Sequence, residues 1–303
     1  MPPMRPSPPA RHPSSTLHCA LLDWFGANAR DLPWRGDGAR AWPVLVSEIM
    51  LQQTPVARVR PVFEAWLRRW PRPADLAADS PGEAVRQWGR LGYPRRALRL
   101  HAAAAVCVDL HRGDVPRDIA ALRALPGVGE YTAAAVASFA YGDRHVVLDT
   151  NVRRVLARLV GAEEFEPAGG TTAPERSRAA ALLPDAALPA ATWNAALMEL
   201  GALVCTARSP ACASCPLAAA CAWLLAGSPR WDGPARRGQA YAGTDRQVRG
   251  HLLAILRGAD GPVGATTLEA AWAEPVQRAR ALDGLVADGL VEPLPRARYR
   301  LPR

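Results

Sequence analysis

Four cysteines fall within seventeen residues, Cys205, Cys212, Cys215 and Cys221, separated by six, two and five residues. Thiols this close either pair as disulfides or wrap one inorganic centre. Residues 1–16 are proline-rich and lack the apolar core of a secretory leader, so a disordered tail is expected there. No run of about 18 apolar residues exists to span a membrane, and a soluble, cytoplasmic chain follows. In a reducing compartment a metal centre is favoured over disulfides. Structural zinc usually takes paired CxxC units, whereas one such pair occurs here, which favours a 4Fe-4S cluster over zinc. Cys19 and Cys107 lie in apolar helical runs and are expected in the core.

The stretch 125–151, LPGVGEYTAAAVASFAYGDRHVVLDTN, is the second constraint. Gly127 and Gly129 sit between two helical runs, where a tight turn needs positive φ or an unobstructed backbone. As an ordinary helix end this is a C-cap and a turn. As a binding element, it presents bare amides at the N-terminus of the helix opening near Tyr131, which suits a phosphate. Downstream, Asp149 follows three large aliphatic residues and precedes the helical run from Val152. It reads as an N-cap, or as a catalytic carboxylate kept ionised by the helix dipole.

Ala41 to Thr54, AWPVLVSEIMLQQT, predicts a helix buried nearly all round, with Glu48 in its middle. A carboxyl group there is either on a narrow polar stripe with Gln52 or a buried general acid of raised pKa. Gln52, Gln53 and Thr54 end the helix with uncharged groups able to address base edges. Residues 61–122 alternate short amphipathic helices with Pro and Gly breaks, without β-meander or βαβ alternation. Leu91-Gly92-Tyr93 forms a turn among arginines, where a tyrosine can wedge between bases or pack on its own turn.

Arginine supplies every one of the 37 basic residues against 28 acids, a net charge of +9, and the chain has no lysine. An anionic partner is expected. The clusters Arg58/Arg60, Arg68/Arg69, Arg95/Arg96/Arg99 and Arg153/Arg154/Arg158 suit phosphate contacts or solvated helix faces. After a linker over 224–243, residues 244–303 predict three helices and a β-wing, a winged-helix pattern. It could bind DNA by helix and wing or pack on the enzyme or a partner.

LPGVGEYTAAAV, LDTNVRRV and the four-cysteine loop, in that order, resemble the helix-hairpin-helix DNA glycosylases of the endonuclease III superfamily. LPWR at Trp34 and Arg35, SEIMLQQT around Glu48 and GRLGY before Pro94 are similar to its adenine-removing branch. The resemblance covers roughly residues 17–223 and implies an all-α, two-lobed enzyme with its cleft between the lobes: a six-helix lobe over about 36–140, and a cluster lobe from 17–35 plus 141–223. It further implies a 4Fe-4S cluster on Cys205, Cys212, Cys215 and Cys221, and double-stranded DNA carrying adenine opposite 8-oxoguanine or guanine as substrate.

By the same resemblance Glu48 protonates the flipped adenine and Asp149 stabilises an oxocarbenium-like sugar, with burial raising one pKa and a helix N-terminus lowering the other. Tyr131 and Asn151 match supporting positions. Gln52, Gln53, Thr54, Leu91 and Tyr93 match residues that fill the gap and read the opposite base, Trp34 and Arg35 match the pocket wall, and Gly127 and Gly129 belong to the hairpin. Bifunctional members use a lysine just after the hairpin, where this chain has Tyr131, so base removal without a lysine-dependent β-lyase step is expected. A monomer acting at the nucleoid, with a C-terminal module that could seat a repair-protein partner, completes the expectation.

Three departures stand out. Pro94 replaces a second tyrosine, Ala195 follows Asn194 in place of a Glu or Gln, and residues 244–303 are too few for the Nudix-like domain of longer members. The rival readings are a thymine or uracil mismatch glycosylase, disfavoured by Gln52, Gln53 and Glu48, and a non-enzymatic iron-sulfur DNA-binding regulator, which would need neither acid.

Overall fold

The structure, a computed structural model, describes residues 14–35, 40–233 and 241–303. Residues 1–13 of the disordered tail expected over 1–16, and residues 234–240 of the expected linker, lie outside the described residues, whereas Ser14, Ser15 and Thr16 open the first helix. The chain is mainly helical, as expected. In order come α1 (Ser14–Asn28), α2 (Ala41–Leu51), α3 (Val56–Arg69), α4 (Pro73–Ala77), α5 (Pro81–Gln87), α6 (Arg95–Leu110), α7 (Ile119–Ala124) and α8 (Glu130–Tyr141). They are followed by α9 (Thr150–Leu159), α10 (Ala173–Leu182), α11 (Ala187–Leu203), α12 (Ala222–Leu225), α13 (Asp245–Gly258), α14 (Ala265–Glu269) and α15 (Pro275–Ala287). Among the described residues no helix is long and apolar enough to cross a membrane.

Two compact units divide the chain. One takes the described residues of Met1–Asp31 and Ala134–Pro234; the other takes those of Leu32–Ala133 and Ala235–Arg303. In the first, Val152, Val155, Leu156 and Leu159 of α9 meet Trp193, Ala196, Leu197 and Leu200 of α11, and Leu21 of α1 joins the same core. This is burial of one apolar stripe per helix, the usual source of helical stability in a folded chain. A buried carboxylate fastens α1 to α11: Glu199 accepts from Arg30 Nε at 2.6 Å, from Nη2 at 2.9 Å and from the Arg30 backbone N–H at 3.0 Å. Cys19 is exposed, contrary to expectation, because it lies across the helix from Leu17 and Leu21, which take the core face; Cys107 is buried as expected.

In the second unit the core is built on tryptophan. Trp66 meets Trp70 and Trp88 edge to face at centroid distances of 4.6 and 5.6 Å, and Trp42 Nε1 donates to Trp70 O at 3.1 Å. Local chemistry sets the helix starts. Ser80 accepts from Glu83 N at 3.2 Å with Pro81 in the first turn of α5, and Asp118 accepts from Ala121 N at 2.9 Å at the start of α7. The C-terminal segment belongs to this unit. Its helices α13 to α15 and the antiparallel strands β1 (Val263–Gly264), β2 (Glu292–Leu294) and β3 (Arg298–Arg300), in the order β1-β3-β2, form the expected winged-helix pattern.

Candidate active site

Glu48 lies in the middle of α2 at 5% exposure, flanked by Ser47 at 0% and Ile49 at 1%. The polar-stripe reading therefore fails for Glu48. The helix ends where Gln52 leaves helical geometry and Gln53 takes φ +54°, a left-handed turn that few non-glycine residues adopt. Arg96 of α6 holds this end. Its Nη1 donates to Ile49 O, Met50 O and Gln52 O at 2.8, 3.1 and 2.6 Å, and its Nη2 donates to Thr54 Oγ1 at 3.0 Å and Gly92 O at 2.6 Å. These are the carbonyls a helix C-terminus leaves open, and a side chain from another helix satisfies them. Burial pulls the Arg96 pKa down to about 10, which leaves it charged at neutral pH. Arg96 is thus a structural cation rather than the phosphate ligand its cluster suggested.

The same guanidinium lies 5.5 Å from the Tyr93 ring centre. Tyr93 has φ +55° and is 47% exposed, whereas Leu91 is 5% exposed. Gln52 Nε2 reaches Thr132 Oγ1 at 3.4 Å, and the Thr54 hydroxyl is buried in the loop, donating to Gln52 O at 3.2 Å. Trp34 is buried edge to face on Phe63, with ring centres 5.1 Å apart, and Arg35 is half-buried beside it. The hairpin turn closes through Val128 N donating to Leu125 O at 3.1 Å. Gly127 has φ +85°, and a Cβ there would lie 2.9 Å from Arg99 Cβ. Gly129 opens α8, accepting from Ala133 N at 2.9 Å, and Tyr131 is half-buried in its first turn.

In the other unit Asp149 caps α9. Its Oδ1 accepts from Val152 N at 2.7 Å and its Oδ2 from Asn151 Nδ2 at 2.8 Å. Asn151 Oδ1 accepts from Arg154 Nη2 at 2.8 Å, and Arg154 continues to Gly201 O at 2.7 Å and, through Nε, to Cys205 O at 2.9 Å. The sequence reading has the helix N-terminus lowering the Asp149 pKa. The structure corrects it: loss of solvent around the carboxyl group pushes the pKa up and outweighs the Val152 and Asn151 hydrogen bonds and the Arg154 charge.

Gly201 and the inward role of Arg154 escaped the sequence reading. Arginines at 153, 154 and 158 read as suited to phosphate contacts or as a solvated face, but Arg153 pairs with Glu175 at 2.7 Å and Arg154 and Arg158 are buried. Gly201 inside α11 carried a weak signal, since helix-interior glycine often marks a close approach. A Cβ there would lie 2.7 Å from Asn151 Cβ. Asn194 is buried too, donating to Ser138 Oγ at 3.1 Å and His145 O at 2.8 Å.

None of the four cysteines of the loop is in a disulfide. Burial pushes the Cys215 thiol up to about 11, and the Cys205, Cys221 and Cys212 thiols add to the rise, so the set is mutually close. Among the described residues no group of three or more metal-binding side chains is gathered as one ion requires. The donor set, four thiols with a single CxxC pair, fits a cubane better than zinc, which usually takes paired CxxC units. Arg158 supplies an outer-sphere bond, with Nη1 donating to Cys205 Sγ at 3.3 Å and to Thr206 O at 2.8 Å, while its guanidinium covers the Trp223 ring at 5.0 Å.

Comparison with known proteins agrees with this geometry. A model of the HhH-GPD superfamily base excision DNA repair proteins matches residues 46–173, and one of the iron-sulfur binding domain of endonuclease III matches residues 205–221. The four thiols accordingly hold a 4Fe-4S cluster. Among solved structures, a thermostable thymine-DNA glycosylase superposes with a TM-score of 0.64 at 27% identity, covering 70% of this chain and 97% of that one. The adenine DNA glycosylase of Mycolicibacterium smegmatis is 53% identical over 93% of this chain and 94% of its own length. That of Mycobacterium tuberculosis is 51% identical over 100% of this chain and 99% of its own. With identity of this order over nearly the whole of both chains, the chain belongs to the adenine DNA glycosylase family.

Proposed function

We propose that this DNA glycosylase removes adenine paired with 8-oxoguanine or guanine, hydrolysing the N-glycosidic bond of a flipped nucleotide and leaving an abasic site. Glu48 donates a proton to adenine N7, which makes the base a neutral leaving group. The Asp149 carboxylate stabilises the positive charge that develops on the sugar as the bond breaks, and water then adds at C1′. Tyr131 and Asn151 support this site. Gln52, Gln53, Thr54, Leu91 and Tyr93 read the opposite base and fill the vacated space, Trp34 and Arg35 wall the pocket, and Gly127 and Gly129 hold phosphate.

The observation that carries the reading is the setting of Asp149. Both carboxylate oxygens are engaged from the protein side, by Val152 N and Asn151 Nδ2, in surroundings dry enough to raise its pKa. A fixed carboxylate short of solvent interacts more strongly with a nearby cation than one in water. The burial of Glu48 within α2 supports its role as proton donor. The 4Fe-4S cluster, when bound, supplies iron–thiolate bonds that cross-link the 205–221 loop.

The chain has no lysine, so a Schiff base through a lysine side chain is unavailable and the enzyme stops at base removal. The same proposal takes it as a monomer at the nucleoid, with a tail over 1–16, a catalytic core over 17–223, a linker over 224–243 and a module over 244–303. Single-turnover base release tests it, on duplexes with A opposite 8-oxoguanine, A opposite G, and T or U opposite G. Adenine release should be lost in both Asp149→Asn and Glu48→Gln. Release of thymine or uracil in its place would move the enzyme to the mismatch branch, and borohydride trapping of a covalent complex would contradict the lyase-free reading.

A further inference from the structure

The winged-helix-like module does not stand apart from the base-reading loops. One face of α13, carrying Arg246, Arg249 and Arg257 at three- to four-residue and two-turn spacing, forms a wall of an open groove of about 1550 Å³ whose other wall holds Gln52, Gln53 and Tyr93. The opposite face of α13, with Val248, Leu252 and Leu256, is buried in the module's own core. Among the described residues eight arginines line the groove against one carboxylate, Asp288, which Arg95 and Arg249 share. Arg99, another of the eight, packs against Gly127 of the hairpin turn. At its centre the exposed Tyr93 ring lies between two guanidiniums, Arg96 from α6 at 5.5 Å and Arg246 from α13 at 5.6 Å.

The polar side chains of α15 and of the wing are largely engaged within the module. On α15, where a helix-turn-helix carries its reader, Arg280 pairs with Asp245 at 2.7 Å, Gln277 bonds Asp245 and Trp272, and Arg278 caps the Trp272 carbonyl. On the wing Arg300 pairs with Glu292 at 2.9 Å. A groove this rich in arginine fits a polyanion of regular spacing.

We propose that α13 is a phosphate-binding wall of the DNA groove, with Arg246 and Arg249 contacting the duplex backbone beside the base that Tyr93 meets. This rests on the assignment of Tyr93 and the hairpin to DNA, and it gives the short C-terminal module a role in holding substrate rather than in recruiting a partner.

The test is the salt dependence of binding by the full-length, cluster-loaded protein to a fully matched duplex, a probe that requires no base removal. Removing one arginine–phosphate pair lowers the slope of log affinity against log salt by about 0.9, and weakens binding at 0.1 M salt by roughly eightfold. Arg246→Ala is expected to show that change. Arg246→Lys, which keeps the charge without the planar stack on Tyr93, restores the slope, while Arg298→Ala on the wing strand leaves it at the wild-type value. An unchanged slope in both Arg246→Ala and the Arg246→Ala/Arg249→Ala double variant overturns the proposal, as does a slope reduced only in Arg298→Ala. Failure of the wild type to release adenine would instead undo the assigned reaction, and is read in the separate base-release assay.

Discussion

Asp149 shows how far one residue can be read. An acid directly ahead of a helical run announces a cap, and the cap is there. The cap does not settle its pKa, because loss of solvent around the carboxyl group outweighs the hydrogen bonds of the helix N-terminus. The expected consequence is kinetic. In the proposed mechanism only the ionised carboxylate stabilises the sugar cation, so the rate falls as pH drops through the raised pKa. The acid limb of the single-turnover profile should therefore lie above the ordinary aspartate value of about 3.9. Arg154 acts in the opposite sense, since its charge lowers the Asp149 pKa and its Nη2 fixes Asn151. Arg154→Met should move the acid limb to higher pH as well as slow the plateau rate. A variant that lost rate with its limb unmoved would show that Arg154 serves only to hold the fold. Nothing in the run VRRVLAR marks Arg154 as inward; its partners, the Gly201 and Cys205 carbonyls, come from another helix and the loop after it.

At the scale of the element, the hairpin separates two reasons for glycine. Gly127 needs its freedom for the fold itself: φ is +85°, and a Cβ would press on Arg99. Gly127→Ala is expected to lower stability by about 1–3 kcal/mol. Gly129 has open space around it and no positive φ, so alanine fits. If its glycine serves the close approach of a phosphate to the first amides of α8, Gly129→Ala should weaken duplex binding with a melting temperature near wild type. Equal affinity for both proteins would reduce the hairpin to an ordinary helix junction. LPGVG is legible as a turn because glycine's backbone preferences are local. Which glycine is structural depends on Arg99 of α6, and no spacing rule reaches that neighbour. The C-terminus of α2 teaches the same thing, since its open carbonyls are held by Arg96, a residue forty-odd positions onward whose cluster read as phosphate contacts or a solvated face.

Across the whole molecule, the segments that were legible are those whose pattern is self-contained. The cysteine loop announces its cofactor by spacing, and all three helices of the C-terminal module are legible from their local pattern. Where that module sits was not legible, because its seat is a complementarity of backbones. Arg257 donates to Val85 O at 2.9 Å, Arg86 donates back to Arg257 O, and a Cβ on Gly82 would lie 2.2 Å from Pro302 O. In the sequence Gly82 is merely the residue after a helix-starting proline. Two glycine-to-alanine changes inside helices should therefore have opposite signs. Gly26 of α1 meets nothing within 4 Å, so Gly26→Ala gains about 0.5–1 kcal/mol from the lower entropy of the unfolded chain. Gly82→Ala forces the chain terminus off α5 and should lose about 1–3 kcal/mol, as overpacking does. Because α13 reaches the groove only while the module is seated, Gly82→Ala should also flatten the salt dependence of duplex binding, as Arg246→Ala does. A Gly82→Ala protein that melts higher than wild type, like the Gly26 variant, would mean that the module is not held on α5; one that melts lower but keeps the full salt slope would place its DNA contacts elsewhere than on α13.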